Sequence, residues 1–396
     1  MIIRTHYIDQ IRPFFDSDLI KVITGIRRCG KSVILSQIAE ELRSAGKPVL
    51  TINFELIEYA SLIPDASTLT EYVKARLPEN RKLYVFLDEV QLVDGWNVAC
   101  RSLRLENVSL FITGSNSRLL SGEFTKELSG RYVSFCIKPF VYKELCEYAA
   151  ELGRSYPVSD YLVYGGFPKV VEFPDRESVV RYLNDLNQTI IVNDILNRYR
   201  IRKTELFQRL VNYVLISNAR IFSANSVQRY LQSEKLGCSI NTVMKYLSYL
   251  EEAYVIRRVP QYSNRAKREL AFYAKLYDED VSFNSIRQRT GRYDLTHNLE
   301  NVVYHELIYM GYEVFVFTSD NREIDFLAHK SGREYLVQVA YSVAEEKTYD
   351  REFALFNVLD QSRKKILITN DDFDYSTSTV RHITLRKFLM MRDLDE

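Results

Sequence analysis

Eight consecutive residues, Gly25, Ile26, Arg27, Arg28, Cys29, Gly30, Lys31 and Ser32, follow the spacing G-x-x-x-x-G-K-[ST]. That spacing builds a phosphate-binding loop. Its glycines let backbone amides approach phosphate oxygens. The N-terminus of the following helix adds positive potential, and Lys31 reaches the outer phosphates. A second stretch, Lys82-Leu83-Tyr84-Val85-Phe86-Leu87-Asp88-Glu89, runs five apolar residues straight into two carboxylates. Asp88 is then placed to hold Mg²⁺ through water while Ser32 ligates it directly. Glu89 is placed to polarise an attacking water as general base. Phosphoryl transfer depends on positioning and charge neutralisation, so an arginine near the γ-phosphate also matters, and Arg118 and Arg131 are the candidates.

These groups need a scaffold that brings two strand ends together. Residues 19–24 form an apolar, β-branched run that predicts a strand leading into the loop. Residues 32–41 carry apolar positions at helical spacing and predict the helix leaving it. Further strands are predicted at 49–54, 83–87, 109–113 and 133–137. Strand and helix signals alternate to about residue 200, which predicts a parallel α/β sheet with carboxylates at the C-terminal ends of its strands. Where an extra strand lies beside the loop, a polar residue at its end senses the γ-phosphate. Ser115 or Asn116 fits that role; the alternative is a plain polar loop.

Composition bounds the rest. The chain has 396 residues, 46% hydrophobic and 27% charged, which is enough to bury two or three cores. Formal net charge is +1, so no global field favours nucleic acid or membrane, and such binding must come from local patches. The five cysteines, Cys29, Cys100, Cys136, Cys146 and Cys238, are scattered and form no C-x-x-C pair. That argues for free thiols in a reducing compartment. No run of 18 apolar residues and no signal-peptide core is present, so a soluble cytoplasmic protein without a membrane partner is expected.

Beyond the first α/β region, residues 165–168 (Gly-Gly-Phe-Pro) interrupt helical sequence that resumes over 182–196, a stretch that reads as a helical lid. Residues 203–262 read as three helices and a strand, the order of a winged helix. Asn241, Thr242, Lys245 and Ser248 would be exposed on its third helix. Arg257, Arg258, Arg265, Lys267 and Arg268 follow with no acidic residue between, and Arg198, Arg200, Arg202 and Lys203 cluster upstream. Duplex DNA is the partner such cations could grip; a solvated surface or a protein-binding module are the alternatives. After residue 270 a helix carrying Glu300 precedes strands at 314–317, 322–327, 335–341 and 365–368. A helical glutamate, an aspartate opening a strand (Asp325) and a charged pair on the next strand make the layout of restriction-endonuclease-like domains. Here that pair reads Gln338-Val339-Ala340 instead of Glu-x-Lys. Gln338 is a weaker ligand and Ala340 cannot activate water, so cleavage is not expected.

Together, the Gly-x-Arg-Arg-x-Gly-Lys-Ser loop, Asp88-Glu89-Val90-Gln91 with Trp96 nearby, and Gly114-Ser115 before Gly130-Arg131 resemble prokaryotic AAA+ ATPases similar to the signal-transduction type. Leu299-Glu300-Asn301 and Glu323-Ile324-Asp325-Phe326 extend the resemblance to members with a C-terminal domain of unknown function. It implies a P-loop parallel-sheet AAA+ core (1–155), a helical lid (156–202), a winged-helix domain (203–268) and a small α/β restriction-endonuclease-like domain (269–396) without catalysis. It implies ATP and Mg²⁺ as cofactors, with Mg²⁺-dependent ATP hydrolysis driving a molecular switch. The alternatives are a nucleotide-gated DNA-binding regulator with slow hydrolysis and, disfavoured, a nuclease effector. A homo-oligomer and an unidentified protein partner are also expected. In such assemblies Arg131 would complete a neighbouring copy's site, the alternative being a local pair with Glu123 or Glu127.

Overall fold

The computed structural model describes residues 2–114, 130–262, 274–288, 291–319, 322–357 and 362–396. They fall into two compact units, Met1–Pro139 with Glu252–Tyr254, and Phe140–Glu251 with Val255–Glu396.

The first unit runs α1 (Thr5–Ile11), β1 (Ile20–Thr24), α2 (Lys31–Ser44), β2 (Val49–Asn53), α3 (Ile57–Leu62), α4 (Ala66–Lys74), β3 (Leu83–Asp88), α5 (Trp96–Leu103), β4 (Val108–Thr113) and β5 (Tyr132–Cys136). Its sheet has the order β2-β3-β4-β1-β5, with every pairing parallel. The three middle strands, β3, β4 and β1, are buried at every position. Helices cover both faces of a parallel sheet, so its inner strands must be apolar throughout rather than alternating. The edge strands β2 and β5 are half-exposed. Val85, Leu87, Leu110 and Ile112 from the sheet join Leu69 and Val73 of α4 and Ala99 and Leu103 of α5 in one core. Asp65 starts α4 by accepting the Thr68 amide at 2.9 Å, which satisfies a donor the helix cannot. Parallel pairing brings the C-terminal ends of β1, β3 and β4 to one edge of the sheet, at Thr24, Asp88 and Thr113.

The second unit begins with helices Tyr142–Glu151, Val158–Tyr164 and Arg176–Thr189. The last continues as a π-helical stretch, Ile190–Asn197, where an ordinary helix was expected. Helices Thr204–Ile216, Ala224–Ser233 and Ile240–Glu252 follow. β6 (Arg220–Ile221), β7 (Ile256–Pro260) and β8 (Ala274–Asp278) form an antiparallel sheet in the order β6-β8-β7. Helix Leu295–Tyr309 leads to β9 (Glu313–Ser319), β10 (Arg322–Lys330) and β11 (Arg333–Ala340), which pair antiparallel. Helix Glu346–Asn357 then carries the chain to β12 (Lys364–Thr369), parallel to β11, and β13 (Val380–Thr384) adds a parallel edge strand that the sequence reading did not include. Leu327, Leu336, Leu367, Phe353 and Phe356 form the core of this mixed sheet. The expected α/β class is present in both places, as a parallel P-loop-type sheet first and a smaller α/β layer later.

Candidate functional site

The phosphate-loop sequence forms the turn between β1 and α2. Gly25 has φ +139°, and a Cβ there would lie 2.1 Å from the Ile137 carbonyl oxygen, so only glycine lets the chain leave β1 beside β5. Gly30 has φ +101° immediately before α2 begins at Lys31. Arg28 also takes a left-handed conformation, at φ +67°. The Lys31 ammonium is buried and donates to the carbonyls of Gly25 and Ile26, both at 3.1 Å, so it folds back over its own loop. Arg28 and Ser32 are exposed and Arg27 is half-buried.

Asp88 closes β3 beside this loop. Its Oδ1 accepts the Ser32 hydroxyl at 3.1 Å and the Thr113 hydroxyl. Thr113 Oγ1 in turn accepts the Glu89 amide at 3.1 Å. Glu89 sits at φ +54°, an uncommon conformation for a non-glycine residue, and its carboxylate accepts from the Gln91 side-chain amide. One hydroxyl at the end of β4 therefore anchors both members of the carboxylate pair. Thr113 was not among the expected site residues. Its signal in the sequence is modest, a lone hydroxyl closing an apolar strand. Only the β3–β4 pairing puts it against Asp88. Ser32 and Asp88 offer adjacent oxygen donors, which suits a hard divalent cation such as Mg²⁺.

The structure does not bring Arg131 to this cluster. Arg131 precedes β5, its carbonyl accepting the Ile20 amide at 3.0 Å at the start of β1. The phosphate loop leaves the other end of β1, four steps of about 3.3 Å away, or roughly 13 Å. Arg131 is thus on the sheet edge opposite its own chain's loop. It lines a surface hollow of about 330 Å³ with Val98, Arg101, Ser102, Arg104 and Leu105. Ser115, Asn116 and Arg118, and with them Glu123 and Glu127, lie outside the described residues. So do Arg265, Lys267 and Arg268.

Two of the basic residues assigned to phosphate contact have other partners. Arg257 grips the buried Glu279 carboxylate through Nε at 2.7 Å and Nη2 at 3.3 Å, and Arg258 pairs with Glu251 at 2.8 Å. Both acids lie outside the basic run itself, Glu251 on the preceding helix and Glu279 just after β8.

In the second unit, Glu300, Asp325 and Gln338 do converge, but around a lysine. Lys275 Nζ lies 2.8 Å from Glu300, 2.6 Å from Glu323 and 3.1 Å from Asp325. Tyr277 donates to Glu300 at 2.6 Å. Gln338 accepts the Asp325 amide at 3.2 Å and donates to Glu352 at 2.9 Å, while Asp325 accepts the Val339 amide at 3.0 Å. A bulge in the β9–β10 ladder between Ile324 and Leu327 surrounds Asp325; such bulges re-aim side chains. Burial would lower the Lys275 pKa, but Asp325, Glu300 and Glu323 outweigh it and raise it above the usual lysine range. Burial, with the charge of Asp325, pushes Glu300 up to about 8 despite Lys275. The carboxylates of Glu300 and Asp325 are thus neutralised by the chain's own ammonium, which comes from β8.

Loop, sheet order and paired carboxylates together define a P-loop AAA domain. A family model for the AAA domain matches residues 17–146, and models for two domains of unknown function, DUF8612 and DUF4143, match residues 157–287 and 296–388. An uncharacterized protein of Haemophilus influenzae is 35% identical over 387 residues, 94% of each chain. A second, MJ1544 of Methanocaldococcus jannaschii, is 29% identical over 379 residues, 89% of this chain and 82% of that one. The chain belongs to the family of the H. influenzae protein. Among solved structures, the Walker-type ATPase PABY2304 of Pyrococcus abyssi is similar with a TM-score of 0.50 at 16% identity, over 72% of this chain and 95% of that one; the likeness is one of fold. No helix among the described residues is long and apolar enough to cross a membrane.

Proposed function

We propose that this chain binds ATP with Mg²⁺ at residues 25–32 and hydrolyses it, acting as a molecular switch. The observation that carries the proposal is the junction of Ser32, Asp88, Thr113 and Glu89 beside the phosphate loop. Lys31 and the backbone amides of the loop receive the phosphates. Ser32 and Asp88 hold Mg²⁺, whose chemistry is to neutralise charge on the phosphate oxygens. Glu89 accepts the proton of the attacking water, and Thr113 fixes the backbone that presents it. Purified full-length protein is expected to turn over ATP in Mg²⁺ and to stop on chelation by EDTA. Absence of ATP binding in Mg²⁺ would reject the reading.

A nucleotide-gated DNA-binding regulator is the second reading. It is favoured by the order of helix, strand, helix, helix and two strands among the described residues between Thr204 and Asp278, the order of a winged helix. Asn241 and Lys245 are exposed on the third helix of that run. The internal pairs of Arg257 and Arg258 weigh against it. Stimulation of ATP turnover by duplex DNA would favour this reading; unchanged turnover favours the first. Lys275 and Ala340 weigh against a nuclease effector.

We also infer that Arg131 serves a neighbouring copy, because its own loop is across the sheet. Mixing Arg131→Ala with Lys31→Ala protein should restore part of the lost turnover, one chain contributing the arginine and the other the loop. No recovery in the mixture, together with activity independent of protein concentration, assigns Arg131 a structural role.

A further inference from the structure

The segment before β1 carries a feature that the nucleotide reading does not use. Arg4 is only 2% exposed, among the largest fully buried side chains of the molecule. Its Nη1 donates to two carbonyls, Cys29 O and Lys138 O, each at 3.0 Å. One nitrogen thus ties the phosphate loop to the chain leaving β5. The guanidinium carbon lies 4.6 Å over the Tyr7 ring, and the Tyr7 hydroxyl accepts the Lys138 amide at 3.2 Å. Gln37, on the helix that starts at the loop, completes the strap. Its Nε2 donates to Ile2 O at 2.6 Å, and its Oε1 accepts the Arg4 amide at 3.3 Å.

The bond to Cys29 has a direct geometric effect. A trans peptide points its carbonyl and the next N–H in opposite directions. Holding the Cys29 carbonyl toward Arg4 therefore turns the Gly30 N–H away from Arg4. Among the described residues that N–H has no hydrogen-bond acceptor. Gly30 also needs help to hold one geometry, since glycine visits many conformations at little cost. A Cβ at Gly30 would stand 3.7 Å from Arg4 Nη1, so the guanidinium rests against the loop backbone itself.

We propose that Arg4 is a positioning residue for the phosphate loop, orienting the Cys29–Gly30 peptide so that the Gly30 amide is presented to a nucleotide phosphate. The inference rests on the nucleotide reading above. Arg4 acts on the loop through backbone carbonyls, so its contribution is to binding that is equal in ground state and transition state. Such a contribution appears in KM and not in kcat.

The test uses full-length Arg4→Met and Gln37→Leu proteins, with ATP and ADP affinities, steady-state kinetics and thermal melts of each. Arg4→Met, which removes two hydrogen bonds from a charged donor, is expected to weaken ATP and ADP binding about 10- to 100-fold. Its kcat at saturating ATP should stay within about twofold of wild type. Gln37→Leu loosens the strap without disturbing a buried charge and should weaken binding about threefold. It carries the test if Arg4→Met fails to fold. Wild-type affinity in a folded Arg4→Met protein, or in Gln37→Leu when that protein alone folds, would overturn the positioning role and leave the nucleotide reading standing. A fall in kcat with unchanged affinity would also overturn it. Failure of wild-type protein to bind ATP would remove the nucleotide reading and this inference with it.

Discussion

Glu89→Gln protein is expected to bind ATP as tightly as wild type and to hydrolyse it about 100-fold or more slowly, the usual worth of a positioned base. The substitution keeps the shape of the side chain, and an amide oxygen can still accept the bond from the Gln91 side chain. What it loses is the ability to take a proton from water. The backbone of Glu89 remains anchored by Thr113, so the loss should fall on the chemical step. Lys31→Ala should behave differently. The ammonium lies 3.1 Å from two carbonyls of its own loop, where it opposes their partial negative charge at the place where phosphates would sit. Without it, binding itself should disappear. Equilibrium binding of a fluorescent ATP analogue and single-turnover hydrolysis separate the two outcomes. Wild-type turnover in Glu89→Gln would show that another group is the base.

Lys275→Met should be the most destabilising single change in the second unit. Lys275 faces three carboxylates, is almost fully buried, and holds β8, β10 and helix Leu295–Tyr309 together. Removing one partner of a buried ion pair costs about 3–5 kcal/mol, because the remaining charges are left uncompensated. A pH profile of the melting temperature tests the same cluster. Glu300 titrates in the fold at about 8, above its ordinary value. The folded state therefore holds a proton that the unfolded chain releases near pH 4.5. This contribution is fully present below the ordinary glutamate pKa and is lost as pH rises through about 8. In Lys275→Met the stability deficit should narrow as pH falls through about 8 and Glu300 takes up its proton. A deficit that is small, or independent of pH, would mean that the cluster is open to water and adds little.

Much of the first unit is legible in the sequence. β1, β3 and β4 are continuous apolar strings because a parallel sheet hides both faces, and such strings stand out in a sequence. The loop is legible for a related reason. Its glycines, lysine and serine act through local backbone geometry, so their spacing along the chain is their spacing in space. Asp88 and Glu89 share that advantage, since a strand end is both a sequence feature and a position at the sheet edge.

Contacts between distant segments were not legible. Thr113 reads as an ordinary strand terminus until parallel pairing sets β4 beside β3 and puts its hydroxyl on Asp88. Arg257 and Arg258 read as free cations because Glu279 and Glu251 approach from other elements. Lys275 belongs to no motif in the sequence, yet it occupies the centre of the Glu300, Glu323 and Asp325 cluster. Arg4 lies far from the loop motif in sequence and bridges it to the chain beyond β5. The sequence by itself determined which segments become buried strands and which loop can hold phosphate, because those depend on local periodicity and local backbone freedom. Tertiary structure alone decided which charges meet, because an ion pair or a buried hydrogen bond depends on distance in space, and strand order rather than chain order sets that distance.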